Sequence, residues 1–372
     1  MRILIISKRQ YMGKDLLSDK YGRFYEIPRE LAKIGHSVFG VALSYRPRDE
    51  GEYSLEDFHQ SQMIWHSYNL KRLFIPGRMN HFYKIRELVN EFRPEIIFAC
   101  SDSFHAIFGR LLSKRLEIPY VVDLYDNFES FPATKLPGVI SFFKQAVKDA
   151  AGVSCISEPL KAYLEKKYKP KGKIITLENG VRTDLFYKMD KVLCRRRLGL
   201  PLNGKIIGTA GALHKNRGIE ELFNAFKKIS AMNNNSHLVL AGRLDQNVSL
   251  PKNSHVHYLG ELPYEEIPYL INTFDVGIIC NRDSAFGRYC FPQKAYEMIA
   301  CGIPVVAASV GVMKSLLRNY PFCMYEPGNQ ESLRVAVEKQ LRSSCVPEID
   351  VRQWVELARR LESLFIKVVM KD

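Results

Sequence analysis

The stretch "YCFPQKAYEMIACGIPVVAAS", residues 289–309, contains the pattern from which the fold of this chain can be predicted. Apolar residues recur at helical spacing over 293–301, and the apolar run at 303–308 then predicts a buried strand. A helix that leads directly into such a strand is typical of a parallel sheet. The helix carries Lys294 and Glu297 near its beginning, although a buried carboxylate is costly unless it has polar partners. The alternative is a lysine–glutamate pair on an exposed helix face, which the surrounding apolar residues disfavour.

The same alternation of short apolar runs with helical stretches extends along the chain on both sides of this segment. The predicted strands are 2–7, 37–43, 95–100, 120–125, 152–157, 205–211, 237–242, 256–260, 276–280 and 303–308. The predicted helices are 21–35, 81–92, 104–116, 138–150, 158–167, 218–231, 293–301, 330–342 and 352–369. Two such series, separated by the turn-rich segment 178–190, predict an α/β protein with two doubly wound domains. We place these domains at 1–180 and 181–352, followed by a terminal helix at 353–372.

Loops at the carboxyl ends of the strands are where an open parallel sheet binds its ligands. The first of them, "SKRQYMGKD" at residues 7–15, contains Gly13, which lets the backbone approach a ligand. Its basic residues, Lys8, Arg9 and Lys14, are expected to meet an anion, and the alternative is a plain basic loop. The segment does not match the G-x-G-x-x-G pattern, so it gives a dinucleotide site little support.

Two later segments combine the start of a helix with positive charge. The loop "GALHKNRGIEEL", residues 211–222, places Arg217 beside the free amides of a helix start, an arrangement that favours a diphosphate. A solvated loop is the alternative. In 289–309, Lys294 adds a positive charge for phosphate, and Glu297 can accept two hydroxyl protons from a ribose. These residues predict a nucleotide-diphosphate site in the second half of the chain.

The whole chain carries a formal charge of +14, and such a basic surface attracts phosphates, nucleic acid or anionic lipid, while solubility alone is the alternative. No aromatic and basic platform is evident in the sequence, so no nucleic acid is expected as a partner. No apolar run approaches the ~20 residues that span a bilayer. The short apolar start leads into polar residues, and the eight cysteines are not closely spaced, which together predict a cytoplasmic protein with reduced thiols.

The chain resembles glycosyltransferase family 4, the retaining enzymes of the GT-B fold, in the order and spacing of several segments. These segments are "FPQKAYEMIACGIPVVA", "GALHKNRGIEEL", "ENGVRTDLF" and "AAGVSCISEPLKAYL". The resemblance implies two facing Rossmann-like domains with parallel sheets and an interdomain cleft, in which 1–180 binds the acceptor and 181–352 binds the nucleotide-sugar donor. It also implies that the terminal helix, 353–372, packs back toward the first domain.

An enzyme of this kind moves a sugar from a nucleotide-diphosphate sugar to a glycan or lipid-linked acceptor in the synthesis of cell-surface polysaccharide. On this resemblance, Arg217 and Lys294 neutralise the diphosphate and Glu297 holds the ribose, with Gly13 as a further donor contact. No cofactor and no metal is expected, because fixed cations and helix amides stabilise the leaving group. The sequence also has no D-x-D motif suited to a metal.

Three positions depart from the pattern of the family. Tyr289 stands in place of a glutamate that helps to position the donor sugar, and Ala212 stands in place of an arginine of the donor loop. Tyr125 stands where a histidine of the first domain is usual, so Asp126 or His105 is expected to take over the acceptor contact as the catalytic residue, with a structural loop residue as the alternative. Two alternatives stay open: a nucleotide-sugar epimerase of the same fold, and a non-catalytic subunit that keeps the fold, for which these departures are the reason.

The predicted helix 138–150 bears on the partners of the protein. It carries Phe142 and Phe143 with Lys144 and Lys148, an apolar patch among lysines that suits an anionic interface. The alternative is an ordinary domain helix that buries both aromatic rings. Together with a lipid-linked acceptor, the first interpretation predicts a peripheral position at the inner face of the cell membrane.

Overall fold

The computed structural model describes residues 1–11, 13–58, 61–70 and 80–370 of the chain. The chain divides into two compact units, of which one comprises 1–179 and 354–372 and the other comprises 180–353. Each unit is built on its own sheet of mainly parallel strands. The predicted α/β class with two doubly wound sheets is confirmed.

The sheet of the first unit has eight strands among the described residues. The strands of this unit are, in chain order, β1 (Arg2–Lys8), β2 (Gln10–Tyr11), β3 (Lys14–Asp15), β4 (Ser37–Ser44), β5 (Gly51–Phe58), β6 (Ser61–Asn69), β7 (Ile96–Ala99), β8 (Tyr120–Leu124), β9 (Gly152–Cys155) and β10 (Lys173–Thr176). The order across the sheet is β10-β9-β8-β7-β1-β4-β6-β5, and β5 is antiparallel to β6. The short strands β2 and β3 form a separate antiparallel pair.

The sheet of the second unit has six strands, and all five pairs of neighbouring strands are parallel. These strands are β11 (Lys205–Ala210), β12 (Ser236–Ala241), β13 (Val256–Tyr258), β14 (Val276–Ile279), β15 (Val305–Ala308) and β16 (Met324–Tyr325). The order across the sheet is β13-β12-β11-β14-β15-β16. The central strands are buried along their length, as a sheet covered on both faces requires.

The α-helices of the described residues include a counterpart of every predicted helix and four short helices that are not predicted, Lys191–Arg197, Ile267–Asn272, Ala285–Tyr289 and Gly311–Leu316. They are α1 (Arg23–Lys33), α2 (Asn80–Phe92), α3 (Ser103–Leu116), α4 (Val139–Asp149), α5 (Glu158–Lys167), α6 (Lys191–Arg197), α7 (Ile219–Met232), α8 (Ile267–Asn272), α9 (Ala285–Tyr289), α10 (Gln293–Ala300), α11 (Gly311–Leu316), α12 (Gln330–Arg342) and α13 (Trp354–Val369). The helices α1 to α5 and α13 belong to the first unit, and α6 to α12 belong to the second.

The last helix of the chain, α13, is part of the core of the first unit. Its apolar face packs beside α1, and the ring of Phe365 lies 5.3 Å from that of Phe98 on β7. Trp354 and Leu361 of the same helix are buried in this cluster as well. The chain therefore returns to its first unit after the second unit is complete.

The strand order reverses once in each sheet, and this decides where a ligand site can form. In the first unit the chain runs outward from β1 through β4, and then returns to the other side of β1 at β7. In the second unit the same reversal lies between β11 and β14. Loops that follow two such strands diverge, and the opening between them is the usual ligand position in doubly wound sheets.

Three strands of the first sheet differ from the prediction, because β5, β6 and β10 lie where no strand is predicted. No strand is predicted between 44 and 94, whereas β5 and β6 occupy 51–58 and 61–69 there. Strand β5 is rich in polar residues, so its weak apolar signal is that of an edge strand with one partner. In β6 the buried residues alternate, with Met63 and Trp65 inward, and the pairing with β4 determines their direction.

Candidate functional site

The loops after β11 and β12 meet closely at the carboxyl end of the second sheet. Gly211 follows β11 and Gly242 follows β12, and both have positive φ angles, of 106° and 120°. A Cβ atom at Gly242 would lie 1.9 Å from the carbonyl oxygen of Gly211, so only glycine allows this approach. The chain then passes through a 3₁₀ turn, Lys215–Arg217, into the start of α7.

Lys294 lies at the reversal point of the second sheet. Its ammonium nitrogen donates to the hydroxyl of Thr209 and to the carbonyl of Ala210, both at 3.1 Å. The Thr209 hydroxyl donates in turn to the carbonyl of Ile278 on β14, at 2.8 Å. Burial lowers the pKa of Lys294, and the positive charge of Arg217 lowers it further, while Glu297 acts in the opposite direction. The two predicted cations are thus close enough to repel each other.

Glu297 is buried on the same helix, α10, with 7% of its surface exposed. Its Oε1 accepts a hydrogen bond of 2.9 Å from the side-chain amide of Gln293. Burial raises the pKa of this carboxyl to about 7, although the Gln293 hydrogen bond and the charge of Lys294 act to lower it. The alternative of an exposed lysine–glutamate pair is therefore wrong, because Glu297 faces the interior of the unit and its partner is Gln293.

Arg217 contacts an aromatic ring from a distant part of the chain. Its guanidinium carbon lies 3.8 Å from the ring centroid of Phe286 on α9. Three of the predicted donor residues, Arg217, Lys294 and Glu297, therefore lie in one unit, and the charges of Arg217 and Glu297 both act on Lys294. Gln293 and Phe286 are not predicted as site residues, because nothing in the local sequence pattern marks either residue as a partner.

Gly13, the fourth predicted donor residue, lies in the first unit at the exposed turn between β2 and β3. The expectation that Arg9 of the same loop meets an anion is wrong. Arg9 is buried, and its Nε lies 2.9 Å from the Asp15 carboxylate. Its Nη1 donates to the backbone carbonyl of Asp49 and the hydroxyl of Ser67. The guanidinium of Arg9 is therefore engaged in hydrogen bonds and an ion pair within the fold.

His105 lies at the beginning of α3, just after β7 in the first sheet. Asp102 caps this helix, since its Oδ1 accepts from the backbone amides of Phe104 and His105. The same oxygen lies 2.6 Å from Nδ1 of the His105 ring, and the other oxygen accepts from the Tyr45 hydroxyl at 2.8 Å. His105 is buried, and its Nε2 has no hydrogen-bond partner among the described residues. Asp102 thus holds the imidazole in one orientation.

Asp126 belongs to the same edge of the first sheet, beside Lys8 and Tyr125. The Lys8 ammonium donates to the Tyr125 hydroxyl at 2.9 Å. Burial lowers the pKa of Lys8, and the carboxylates of Asp102 and Asp126 act to raise it. Asp126 is buried, and its Oδ1 accepts from the backbone amide of Asn127 at 2.7 Å. Both predicted acceptor residues therefore surround the ends of β1, β7 and β8.

The role of Asp102 was missed at the level of sequence, although a signal for it exists. An aspartate between an apolar strand and a helical stretch is a typical helix cap. The contact with the ring of His105 adds a second role, which follows from the spacing of three residues only once the helix start is known. Tyr45, the residue after β4, donates to the same carboxylate and carries no such signal.

The two phenylalanines of α4 have different environments. Phe143 is buried against Phe128 and Tyr168, with ring centroids 5.9 Å away in each case. Phe142 is 61% exposed, and Leu136 just before the helix is 54% exposed. The predicted patch of two aromatic rings is therefore wrong for Phe143, because the helix turns adjacent residues to different sides.

The residues that the structure describes contain neither a cluster of potential metal ligands nor a membrane-spanning helix. No group of three or more histidines, cysteines, aspartates or glutamates there is arranged to hold a metal ion. No helix in the same part of the chain combines the length and apolar character needed to cross a membrane.

Two family models match the chain, one after the other. "Glycosyltransferase Family 4" matches residues 23–185, and "Glycosyl transferases group 1" matches residues 191–360. The first match lies almost wholly in the first unit, and the second lies mainly in the second unit. The resemblance to glycosyltransferases is thereby confirmed over most of the chain.

Curated relatives are similar at low identity. An uncharacterized glycosyltransferase of Methanocaldococcus jannaschii is 24% identical over 298 residues, which are 78% of this chain and 77% of the relative. The putative teichuronic acid biosynthesis glycosyltransferase TuaC of Bacillus subtilis is 23% identical over 247 residues, or 64% of this chain and 61% of that protein. The D-inositol 3-phosphate glycosyltransferase of Corynebacterium aurimucosum is 28% identical over 154 residues, covering 37% of this chain and 35% of the relative.

Solved structures share the fold over the full chain. Sucrose-phosphate synthase from Thermosynechococcus elongatus matches with a TM-score of 0.72 and 18% identity, covering all of this chain and 96% of the other. Anabaena HepE in complex with UDP-glucose matches with a TM-score of 0.67 and 17% identity, covering all of this chain and 98% of the other. At this identity the likeness establishes the fold.

Proposed function

This chain belongs to the glycosyltransferases that join a Glycosyltransferase Family 4 domain to a Glycosyl transferases group 1 domain in the GT-B fold. On that premise, we propose that it transfers a sugar from a nucleotide-diphosphate sugar to a glycan or lipid-linked acceptor. The observation that carries this proposal is the ammonium group of Lys294 at the reversal point of the second sheet. Arg217 and Glu297 act electrostatically on the same group.

The donor end of the proposal follows from these charges. A diphosphate carries negative charge that Lys294 and Arg217 neutralise, and the guanidinium can bind two phosphate oxygens at once. Glu297 then accepts hydrogen bonds from the ribose hydroxyls, which add to the hydrogen bond that this buried carboxylate accepts from Gln293. The crystal structures of HepE contain UDP or UDP-glucose, which supports a donor of this class for the present chain.

The chemical step needs charge stabilisation more than it needs a cofactor. We propose a retaining transfer in which the leaving diphosphate helps to deprotonate the acceptor hydroxyl. Cations that are already fixed by Thr209 and by Phe286 need not reorient when charge develops on the leaving group. Metal independence is part of this proposal, and transfer in the presence of a chelator is its direct test.

The acceptor end of the proposal rests on the first unit. We assign the acceptor contact to His105 or Asp126, which surround the ends of β1, β7 and β8. With Nδ1 directed at Asp102, Nε2 of His105 is the ring atom left for an acceptor hydroxyl. Two similar proteins of Bacillus subtilis are named for teichuronic acid biosynthesis, which supports a cell-surface polysaccharide as the product.

A peripheral position at the cytoplasmic face of the membrane is a separate part of the proposal. Phe142 and Leu136 expose apolar surface on α4 and just before it, and Lys144 and Lys148 of the same helix are exposed as well. Apolar side chains among lysines suit a surface of anionic lipid, where a lipid-linked acceptor would be found. The net charge of +14 acts in the same direction.

A thermal-shift panel of UDP-, GDP-, ADP- and CMP-sugars tests the proposed function. We expect one nucleotide sugar to raise the melting temperature, because a ligand that binds only the folded state stabilises it by mass action. Glu297→Ala is expected to abolish that shift while the variant remains folded by circular dichroism. Wild-type affinity in the variant would refute the site, and no shift with any donor would favour a non-catalytic subunit.

Product analysis separates transfer from epimerisation. With the donor identified by the panel, a transferase releases the nucleoside diphosphate, whereas an epimerase converts the sugar and leaves the nucleotide attached. Conversion of the donor sugar without any nucleoside diphosphate release would contradict the proposed transfer.

A further inference from the structure

The loops after β11 and β14 are connected by two arginines that reach in opposite directions. Arg217, from the loop after β11, lies over the ring of Phe286 in the segment after β14, at 3.8 Å from the centroid. Arg282, from the segment after β14, donates to the carboxylate of Glu221 at 2.9 Å in the first turn of α7. Each segment therefore supplies a cation to the other, across the reversal point of the sheet.

The ring of Phe286 is carried by a tightly packed piece of backbone. Helix α9 is capped by Ser284, whose hydroxyl accepts from the amide of Gly287 at 3.1 Å. A Cβ atom at Gly287 would lie 2.0 Å from the carbonyl oxygen of Arg282, and one at Gly311 would lie 2.6 Å from the carbonyl oxygen of Gly287. Backbone on both sides of α9 thus leaves no room for it to shift toward either neighbour.

We propose that Phe286 is a positioning residue for the diphosphate, because it holds the guanidinium of Arg217 in place before the ligand binds. This inference rests on the proposed function, in which Arg217 meets the diphosphate. An arginine side chain has many rotamers, and ordering it at the moment of binding would reduce affinity. A guanidinium over an aromatic face is ordered beforehand, because the stacking contact uses the face of its plane and restricts the rotamers of the side chain.

A purely structural role for Phe286 makes a different prediction from a positioning role. If the ring only supported the fold, its loss would reduce the affinity of the second unit for all of its ligands alike. If the ring positions Arg217, its loss reduces the affinity for ligands that carry a diphosphate and does not change the affinity for the nucleoside. The effect must also disappear when Arg217 is absent, since two residues that act through one contact are not additive.

The test is calorimetric titration of the full chain with UDP, GDP and ADP, followed by the nucleoside of whichever diphosphate binds most tightly. Phe286→Leu removes the ring but keeps the apolar bulk, Phe286→Met is a second variant without a ring, and Phe286→Tyr restores the aromatic face. We expect Phe286→Leu and Phe286→Met to reduce the affinity for the diphosphate by between about twofold and thirtyfold, the range that corresponds to a cation–π contact. Phe286→Tyr should stay within about twofold of wild type, and the nucleoside affinity should not change.

The same titrations in an Arg217→Ala background complete the cycle. There we expect Phe286→Leu to cause no further loss of diphosphate affinity. An equal loss for the nucleoside, a loss that persists without Arg217, or wild-type affinity in both ring-free variants would overturn the positioning role while the proposed function stands. Wild-type protein that binds none of the three diphosphates would overturn both.

Discussion

The ammonium nitrogen of Lys294 lies 3.1 Å from the hydroxyl oxygen of Thr209, and that hydroxyl donates to the carbonyl of Ile278. One short chain of hydrogen bonds therefore connects α10 with β11 and with β14. The positive charge is held at the point where the two strands send their loops in opposite directions. Such a charge needs no rearrangement before an anion arrives, which is the property that a transferase requires of its leaving-group site.

Replacement of Lys294 by methionine is expected to reduce transfer by between about a hundredfold and a thousandfold, the usual loss when one charge-stabilising donor is removed. Methionine preserves the length and apolar contacts of the stem, so the fold should persist. Steady-state rates with the identified donor provide the measurement. Lys228→Met is the matched control, because Lys228 pairs with Glu331 on the surface of the same unit and both side chains are about half exposed. Wild-type transfer by Lys294→Met would remove this residue from the site.

The buried carboxyl of Glu297 predicts an unusual dependence of stability on pH. Burial raises its pKa from 4.5 to about 7, so the folded state binds the proton more tightly than the unfolded state does. This group therefore destabilises the fold progressively as the pH rises through that interval, and its penalty is complete above about pH 7. Glu297→Gln removes the titration and should raise the free energy of unfolding at about pH 8 by on the order of 3 kcal/mol.

Urea denaturation of wild type and Glu297→Gln between about pH 5 and pH 8 measures this difference. The gain should be much smaller at the acid end, where the wild-type carboxyl is already protonated. The same variant should bind the donor more weakly, because a neutral amide accepts hydroxyl protons less strongly than a carboxylate does. A stability difference that does not vary with pH would contradict the buried environment of this carboxyl.

Two roles of Asp102 can be tested separately: it caps helix α3, and it orients the ring of His105. Asparagine caps a helix about as well as aspartate, so Asp102→Asn should retain the stability of α3. It nevertheless removes the charge beside the imidazole, and we expect transfer to fall by at least about tenfold. Donor affinity, measured by calorimetry, should be unchanged.

Asp102→Ala serves as the comparison, since it loses the cap as well and should cost about 1 kcal/mol of unfolding free energy. His105→Ala should lose transfer to at least the same extent as Asp102→Asn, if both act through one ring. Full transfer activity in His105→Ala would assign the acceptor contact to Asp126 instead.

The neighbouring residues Phe142 and Phe143 provide a test of membrane contact with an internal control. Phe142 is mostly exposed, so Phe142→Ser should weaken sedimentation with anionic vesicles and leave the melting temperature unchanged. Phe143 is buried, so Phe143→Ala should cost about 3–5 kcal/mol of stability through the cavity that it leaves. Added salt should weaken vesicle binding by the wild type, because the lysines contribute by charge. Absence of sedimentation at low salt would end the membrane proposal.

Much of the fold was predictable because it depends on local patterns. The run at 289–309 predicts a helix followed by a buried strand, and the structure has α10 at Gln293–Ala300 and β15 at Val305–Ala308. Helix α12 occupies the predicted residues 330–342 without any shift at either end. Apolar periodicity is a property of neighbouring residues, and burial against one sheet is enough to select it. The short helix α6 and the edge strand β5 depend on partners elsewhere and were not predicted.

The candidate site divides in the same way. Lys294, Glu297 and Arg217 could be selected from sequence, since charged residues at helix starts and within apolar runs stand out there. Their partners could not: Thr209 contacts Lys294 across 85 positions of sequence, and Phe286 comes from a different loop than Arg217. Arg9, which the sequence marks as a free cation, is instead held by Asp15, Ser67 and a backbone carbonyl.

The amino-acid sequence by itself determined the alternation of strands and helices, the two-unit α/β class and the charged residues that stand out near the ligand edge of the second sheet. Only the tertiary structure decided which of the charged side chains lie close together, which of them are bound by other residues of the protein, and which of two adjacent phenylalanines faces solvent. The reason is physical. Periodicity depends on residues that are a few positions apart in sequence. A contact between distant residues, by contrast, exists only after the strand order brings their loops to the same edge of a sheet.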